Sequence, residues 1–179
     1  MSAPKQPIII TGFMAAGKTA VAQALAERLG CLMIDLDQLI AEREGRTAQA
    51  IIDEEGEQRF RELESQALSE ALERTAACVI ALGGGTWTIE RNRALIAEHT
   101  RHTIWLDAPF ELCWERIESE NNVRPLARER ERARQLYEER RRTYSQAGLR
   151  VKVDESASAR TVAETIVRAL ALQTGGHDE

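Results

Sequence analysis

Ile8-Ile9-Ile10-Thr11-Gly12-Phe13-Met14-Ala15-Ala16-Gly17-Lys18-Thr19 is the stretch on which the fold turns. A β-branched run enters a glycine loop ending in Lys-Thr, and an Ala/Leu-rich segment follows from Ala20 to Leu29. That succession predicts a buried strand, a tight loop and a helix. In the spacing G-x-x-x-x-G-K-T, the N–H groups of the loop and of the helix N-terminus converge on one concavity, which suits anionic phosphates. Lys18 is placed to reach the β- and γ-phosphates of a nucleoside triphosphate, and the Thr19 hydroxyl to ligate Mg2+. A glycine-rich turn carrying a surface lysine is the plainer alternative, and the strand and helix patterns on either side disfavour it.

Downstream, Val21, Ala22, Leu25, Ala26 and Leu29 fall at helical spacing, and Gly30 ends that helix. Cys31 to Ile34 reads as a second strand, followed by Asp35-Leu36-Asp37. At extended geometry the two aspartates share a direction beyond the sheet edge, where open α/β sheets bind ligands. One carboxylate suits a metal shell and the other a substrate hydroxyl; the alternative is an acidic cap for the helix that begins at Gln38. From Gln38 to Leu72 the pattern is helical with breaks at Gly45 and Gly56, and Arg61 and Glu64 are spaced to pair on one helix surface. By spacing alone that pair is an ordinary surface salt bridge. Cys78 to Leu82 predicts a third strand running into Gly83-Gly84-Gly85, a stretch without side chains that lets a ligand approach the backbone. Further strands are expected at His102–Leu106 and Val151–Val153, the last at an edge. Helices are expected at Asn92–Glu98, Phe110–Ile117, Ala127 to about Tyr144, and from Ser158 or Ala159 onward. The expected order is β-α-β-α-α-β-α-β-α-α-β-α, an α/β three-layer fold with a five-stranded parallel sheet flanked by helices.

The 179 residues suffice for a single domain with a core. Apolar residues make up 43% and charged residues 30%, and the formal net charge is -5, which disfavours a general nucleic-acid surface. No apolar run reaches transmembrane length and no leader pattern opens the sequence, so the expectation is a cytoplasmic protein. Cys31, Cys78 and Cys113 are far apart and lie in or beside apolar runs; they read as small buried hydrophobes and not as a metal cluster or a disulfide framework. His99, His102 and His177 lack ligand spacing. Lysine occurs only at positions 5, 18 and 152, and arginine supplies the planar fork that suits carboxylates and phosphates.

Taken together, the motifs resemble the shikimate kinase family over almost the whole chain, from about Ile8 to Leu170. The resemblance implies a small P-loop kinase of the nucleoside-monophosphate-kinase type. It would transfer the γ-phosphoryl group of ATP to the 3-hydroxyl of shikimate with Mg2+, in aromatic amino-acid (chorismate) biosynthesis. On this reading residues 1–179 are one kinase domain, with the phosphate loop and core at 8–30, substrate-binding helices at 35–72, a lid at 116–128 and a flexible tail at 173–179. Gly12, Ala15, Ala16, Gly17, Lys18, Thr19 and Ala20 would hold the nucleotide, and Arg116 stands where the family often stacks an arginine on adenine. Asp35 with Thr19 would support Mg2+. Asp37 would contact shikimate hydroxyls, and Gly56-Glu57 with Phe60-Arg61 and Glu64 matches G-E-x-x-F-R-x-x-E, whose arginine holds the carboxylate and whose glutamate orients it. Gly83, Gly84 and Gly85 would approach the ring, Arg124 of Arg124-Pro125-Leu126 would reach the transferring phosphate from the lid, and Arg140 would make the second carboxylate contact. Lys18, Asp37 and Arg124 would be the catalytic residues.

The pattern departs from the family in three places. Ala15 stands where a glycine is usual, and is expected in the right-handed helical region, where its methyl group is harmless. Arg142 and Thr143 replace Pro and Leu in R-x-P-L-Y, so Arg140 and Arg141 compete for one assignment. The lid lacks the glycine that often follows Asn121-Asn122. No nucleic acid, membrane or obligatory protein partner is expected, and the chain is read as a monomer. Kinase activity on another small polyol or sugar acid such as gluconate is the competing enzyme reading, and a nucleotide-binding regulatory protein with impaired catalysis the competing non-enzyme one.

Overall fold

Every residue of Ile8–Gly12 is buried, and so is every residue of Thr103–Asp107. Strands apolar on both faces belong in the middle of a parallel sheet covered on both sides. The computed structural model, which describes residues 6–74, 77–119 and 130–174, places them there. In chain order the elements are β1 (Ile8–Gly12), α1 (Lys18–Leu29), β2 (Leu32–Asp35), α2 (Leu36–Glu44), α3 (Ala48–Glu55), α4 (Glu57–Glu73), β3 (Ala77–Ala81), α5 (Glu90–His99), β4 (Thr103–Asp107), α6 (Phe110–Ser119), α7 (Arg130–Tyr144), β5 (Leu149–Lys152) and α8 (Ala159–Thr174), with a 3-10 turn at Thr86–Thr88. The strands are all parallel in the order β2-β3-β1-β4-β5. Sequence and structure agree on the three-layer plan: α1 packs on β1 to β3 and against α8, while α4 and α7 pack on β3 and β1.

The strand order sets the site. Because β1 is central, the loop after it opens at the middle of the C-terminal sheet edge, with the end of β2 to one side and the end of β5 to the other. Both edge strands show their position in their burial: β2 is the least buried strand, with Leu32 65% exposed, and β5 buries only Val151. Tyr137 of α7 is a strut on this edge. Its hydroxyl donates to the Ala108 carbonyl at 2.9 Å, and its ring meets Phe13 and Phe110 edge-on with centroids 5.1 and 5.6 Å apart.

Three expectations need correction. Three helices, not two, lie between β2 and β3: Gly45 closes α2 in a left-handed conformation and the Thr47 side chain caps α3 by accepting from the Ala50 N–H. Asp35 and Asp37 are not an extended pair, because α2 starts at Leu36 and puts Asp37 in its first turn. Cys31 and Cys78 are not separate hydrophobes: they lie side by side at a separation that allows a disulfide, with Cα atoms 6.0 Å apart, 47 residues apart in sequence. Pairing of β2 with β3 creates that neighbourhood, which spacing along the chain does not reveal. Cys113 is a free buried thiol, and burial pushes it up to about 11. Residues 1–5, most of the expected lid with Arg124-Pro125-Leu126, and the tail residues 175–179 lie outside the described residues.

Candidate active site

The loop between β1 and α1 is closed from within. The Ala16 N–H donates to the Phe13 carbonyl at 3.2 Å, and Lys18 Nζ donates to the same carbonyl at 2.9 Å. Gly17, left-handed at φ 93, precedes the helix, and the Val21 N–H donates back to its carbonyl at 3.0 Å. No side chain caps α1 and no acidic residue lies in its first turn, so the positive end of the helix is left for an anion. Ala15 is the surprise. Its φ is 58, in the left-handed region, and not the right-handed helical region expected of it. Its carbonyl accepts from Arg116 Nη1 at 3.1 Å, a contact across 101 residues.

A cavity of about 480 Å3 opens over this loop. Asp35, Asp37, the loop residues Ala15 to Ala20, and Arg116 line it, and Val153, Ala157, Ala159 and Val162 form an apolar wall. Strand order places the carboxylates at the β2 end and the apolar wall at the β5 end, with the phosphate cradle between them. That suits an elongated ligand with a polyanionic middle and a flat apolar end. The wall was missed by sequence reasoning. Its only sequence signal is Val153 following the last strand, with small residues at Ala157 and Ala159 leading into α8.

Asp35 does two things. Oδ1 accepts from the Gln38 N–H at 3.1 Å, capping α2, and Oδ2 accepts from the Thr19 hydroxyl at 2.5 Å. The capping and metal-shell readings of this residue are therefore compatible. A hydroxyl and a carboxylate held together at the mouth of a phosphate cradle are the hard oxygen donors Mg2+ takes, and Mg2+ characteristically keeps waters and phosphate oxygens for the rest of its shell. The described residues contain no group of three or more His, Cys, Asp or Glu side chains able to hold a metal by themselves.

A second cluster surrounds the glycine triplet. Glu64, 1% exposed, accepts from Arg61 Nη1 at 2.5 Å and from the Thr86 hydroxyl at 2.8 Å. Glu57 also holds the Arg61 guanidinium, at 2.8 Å. Burial lowers the pKa of Arg61, but Glu64 and Glu57 outweigh it and leave it above its ordinary value, so the fork stays charged in a half-buried place. The glycines are there for clearance. A Cβ on Gly85 would collide with Arg61, 2.6 Å from its Cζ. One on Gly83 would stand 2.6 Å from Asp37 Oδ1 and 2.7 Å from Glu64 Oε1. One on Gly84 would sit 3.5 Å from Arg140 Nη1 and 3.5 Å from the Met14 nitrogen. Asp37, Arg61, Glu64 and Arg140 thus converge on one triplet that touches the phosphate loop.

The structure places Arg140 and Arg141 in different surroundings. Arg140 is 7% exposed and faces Gly84, whereas Arg141 is half-buried, donates to Asp107 at 3.3 Å and lies over Trp105. Thr86, Tyr144, Trp87 and Asn92 were not anticipated as supports. The Tyr144 hydroxyl donates to the Gly84 carbonyl at 2.5 Å, Trp87 Nε1 to the Thr143 carbonyl at 3.0 Å, and Asn92 Nδ2 to the Thr86 carbonyl at 3.0 Å. The Trp87 side of this framework follows a visible signal, an aromatic two residues after the glycines; the others depend on packing between distant elements.

Comparison with known proteins gives one family. The family model for shikimate kinase matches residues 14–171. A shikimate kinase of Ruegeria pomeroyi is 38% identical over 167 residues, covering 92% of this chain and 84% of its own length. One of Cereibacter sphaeroides is 39% identical over 171 residues, covering 94% and 82%. The solved structure of shikimate kinase from Acinetobacter baumannii in complex with shikimate superposes with a TM-score of 0.89 at 31% identity, covering 96% of both chains. A tunicamycin resistance protein of Deinococcus radiodurans, at 17% identity and a TM-score of 0.63, is similar in fold alone.

Proposed function

The chain belongs to the shikimate kinase family, and from that premise we infer that it transfers the γ-phosphoryl group of ATP to the 3-hydroxyl of shikimate. The observation that carries this reading is the meeting of two half-sites: a phosphate cradle at Gly12 to Thr19, and a carboxylate-and-hydroxyl pocket at Asp37, Arg61, Glu64, Gly83 to Gly85 and Arg140. Phosphoryl transfer asks a protein for in-line positioning and neutralised charge more than for covalent help. The loop amides and Lys18 supply fixed positive potential to the phosphate chain. Arg61 and Arg140 offer planar donors to a carboxylate, a task for which arginine is better suited than lysine.

Asp37 faces both halves, since it lines the nucleotide cavity and stands against Gly83. In that position its carboxylate accepts from the attacking hydroxyl and orients it. Thr19 and Asp35 are the residues that would hold Mg2+, which when bound neutralises charge on the phosphate oxygens. Arg124 is assigned to the same chemistry through the family resemblance. We place the enzyme in the cytoplasm as a monomer of one kinase domain; among the described residues no helix is long and apolar enough to cross a membrane.

Purified protein with ATP and Mg2+ should release ADP only when shikimate is present. A panel containing shikimate, quinate and gluconate should give turnover with shikimate at the lowest KM. Nucleotide binding without turnover on shikimate would refute the assignment of the acceptor.

A further inference from the structure

We infer that Arg116 is a positioning residue that holds the phosphate loop in its binding shape, and that the loop needs this hold because residue 15 is an alanine. The inference rests on the reading of Gly12 to Thr19 as a phosphate cradle. Among the described residues Ala15 is the only non-glycine residue with positive φ, at 58. An alanine left to itself is disfavoured in that region by a factor of roughly five to thirty. The bonds that close the loop from within go to the Phe13 carbonyl, and among the described residues the side chain that holds Ala15 itself is Arg116, whose Nη1 donates to the Ala15 carbonyl at 3.1 Å. Fixing that carbonyl fixes the peptide plane between Ala15 and Ala16, and so the direction of the Ala16 N–H, which closes the loop onto the Phe13 carbonyl at 3.2 Å. The same guanidinium nitrogen lies 3.6 Å from where a Cβ on Gly17 would be, so it spans the loop from Ala15 to the start of α1.

The geometry gives Arg116 a role apart from any contact with a nucleotide base. A glycine at position 15 adopts the left-handed region without penalty, and the hold is then redundant. Residues 15 and 116 should therefore be energetically coupled, and the coupling should appear with a ligand that has phosphates and no base.

The test is a double-mutant cycle of Ala15→Gly and Arg116→Ala, read by calorimetric titration with inorganic triphosphate. Arg116→Ala is expected to weaken triphosphate binding about tenfold or more in the unaltered background and no more than about threefold in the Ala15→Gly background. Arg116→Lys, which keeps a cationic donor, should retain most of the affinity in the unaltered background. If Arg116→Ala is too unstable to titrate, Arg116→Gln takes its place in the same cycle. In turnover, the KM for ATP should rise with little change in kcat at saturating ATP. Equal losses in the two backgrounds, or no loss in the unaltered one, overturn the inference and leave shikimate phosphorylation standing. Coupled losses in a chain that fails to turn over shikimate uphold it and refute the acceptor assignment instead.

Discussion

Single residues divide into those the site needs and those the fold tolerates. Glu64 is needed. It is a buried carboxylate whose two oxygens are taken by Arg61 and Thr86, and removing one member of such a group leaves the others desolvated and unpaired. Glu64→Gln keeps the shape and removes the charge. It should raise the KM for shikimate about tenfold, as expected for the loss of one charge-assisted hydrogen bond of ~1.5 kcal/mol, while the KM for ATP changes little in steady-state assays. Gly85→Ala should be worse, since the added carbon must displace the Arg61 guanidinium; a shift of about 1 Å in a positioning group costs on the order of a hundredfold in kcat/KM. Thr11 is tolerated. It is fully buried in β1, and among the described residues its hydroxyl has no hydrogen-bond partner. Thr11→Val should stabilise the fold by about 1 kcal/mol, because the desolvated hydroxyl is replaced by a methyl group; urea denaturation with an unchanged m value is the check. A loss of stability would mean that the hydroxyl is satisfied in solution.

At the scale of elements, the C-terminal end of α7 is tied to the glycine triplet and the turn that follows it. Tyr144 donates to the carbonyl of the central glycine, and the Thr143 carbonyl receives the Trp87 indole. Burial pushes the Tyr144 hydroxyl up to about 12 and the Cys113 thiol up to about 11. The sign follows from linkage: both groups bind their protons more tightly folded than unfolded, so the stability they contribute is complete below their unfolded pKa values, roughly 8.5 for Cys and 10 for Tyr, and is lost as pH rises through the folded ones. Unfolding midpoints should be flat near neutrality and fall between about pH 9 and 12. Tyr144→Phe should flatten the upper part of that fall and also raise the KM for shikimate, because the Gly84 carbonyl loses its donor. A slope identical to that of the unaltered chain would show that Tyr144 is not the titrating group. This element also shows where sequence reading stops. The charged run 130–142 reads as a helix from its pattern, but which of three consecutive arginines turns inward depends on how α7 lies on β1 and the glycine turn, and no pattern within the helix carries that.

For the whole molecule, what was legible is what is local. The strand, loop and first helix declare themselves through β-branched residues, glycine spacing and a helical repeat within about twenty residues of each other. Gly45 and Thr47 mark a helix end and a cap in the same local way. The Glu64–Thr86, Cys31–Cys78 and Ala15–Arg116 contacts span 22, 47 and 101 residues, and only the assembled sheet brings them together. Ala15 is where the sequence reading is wrong: the glycine usual at this position points to a left-handed backbone, and that reading gives more weight to alanine's own preference for the right-handed region. The assembled cleft makes one further expectation: chelation of Mg2+ should abolish turnover, and Mg2+ but not Na+ should restore it. Asp37 has a consequence that belongs to the molecule as a machine. One carboxylate borders both the nucleotide cavity and the glycine triplet, so the charge placed in either compartment is felt in the other. Binding is then a closed thermodynamic cycle, and whatever factor the nucleotide imposes on the dissociation constant of shikimate, shikimate must impose on that of the nucleotide. Titrating each ligand with and without the other should return the same factor both ways in the unaltered chain, and a factor closer to one in Asp37→Asn.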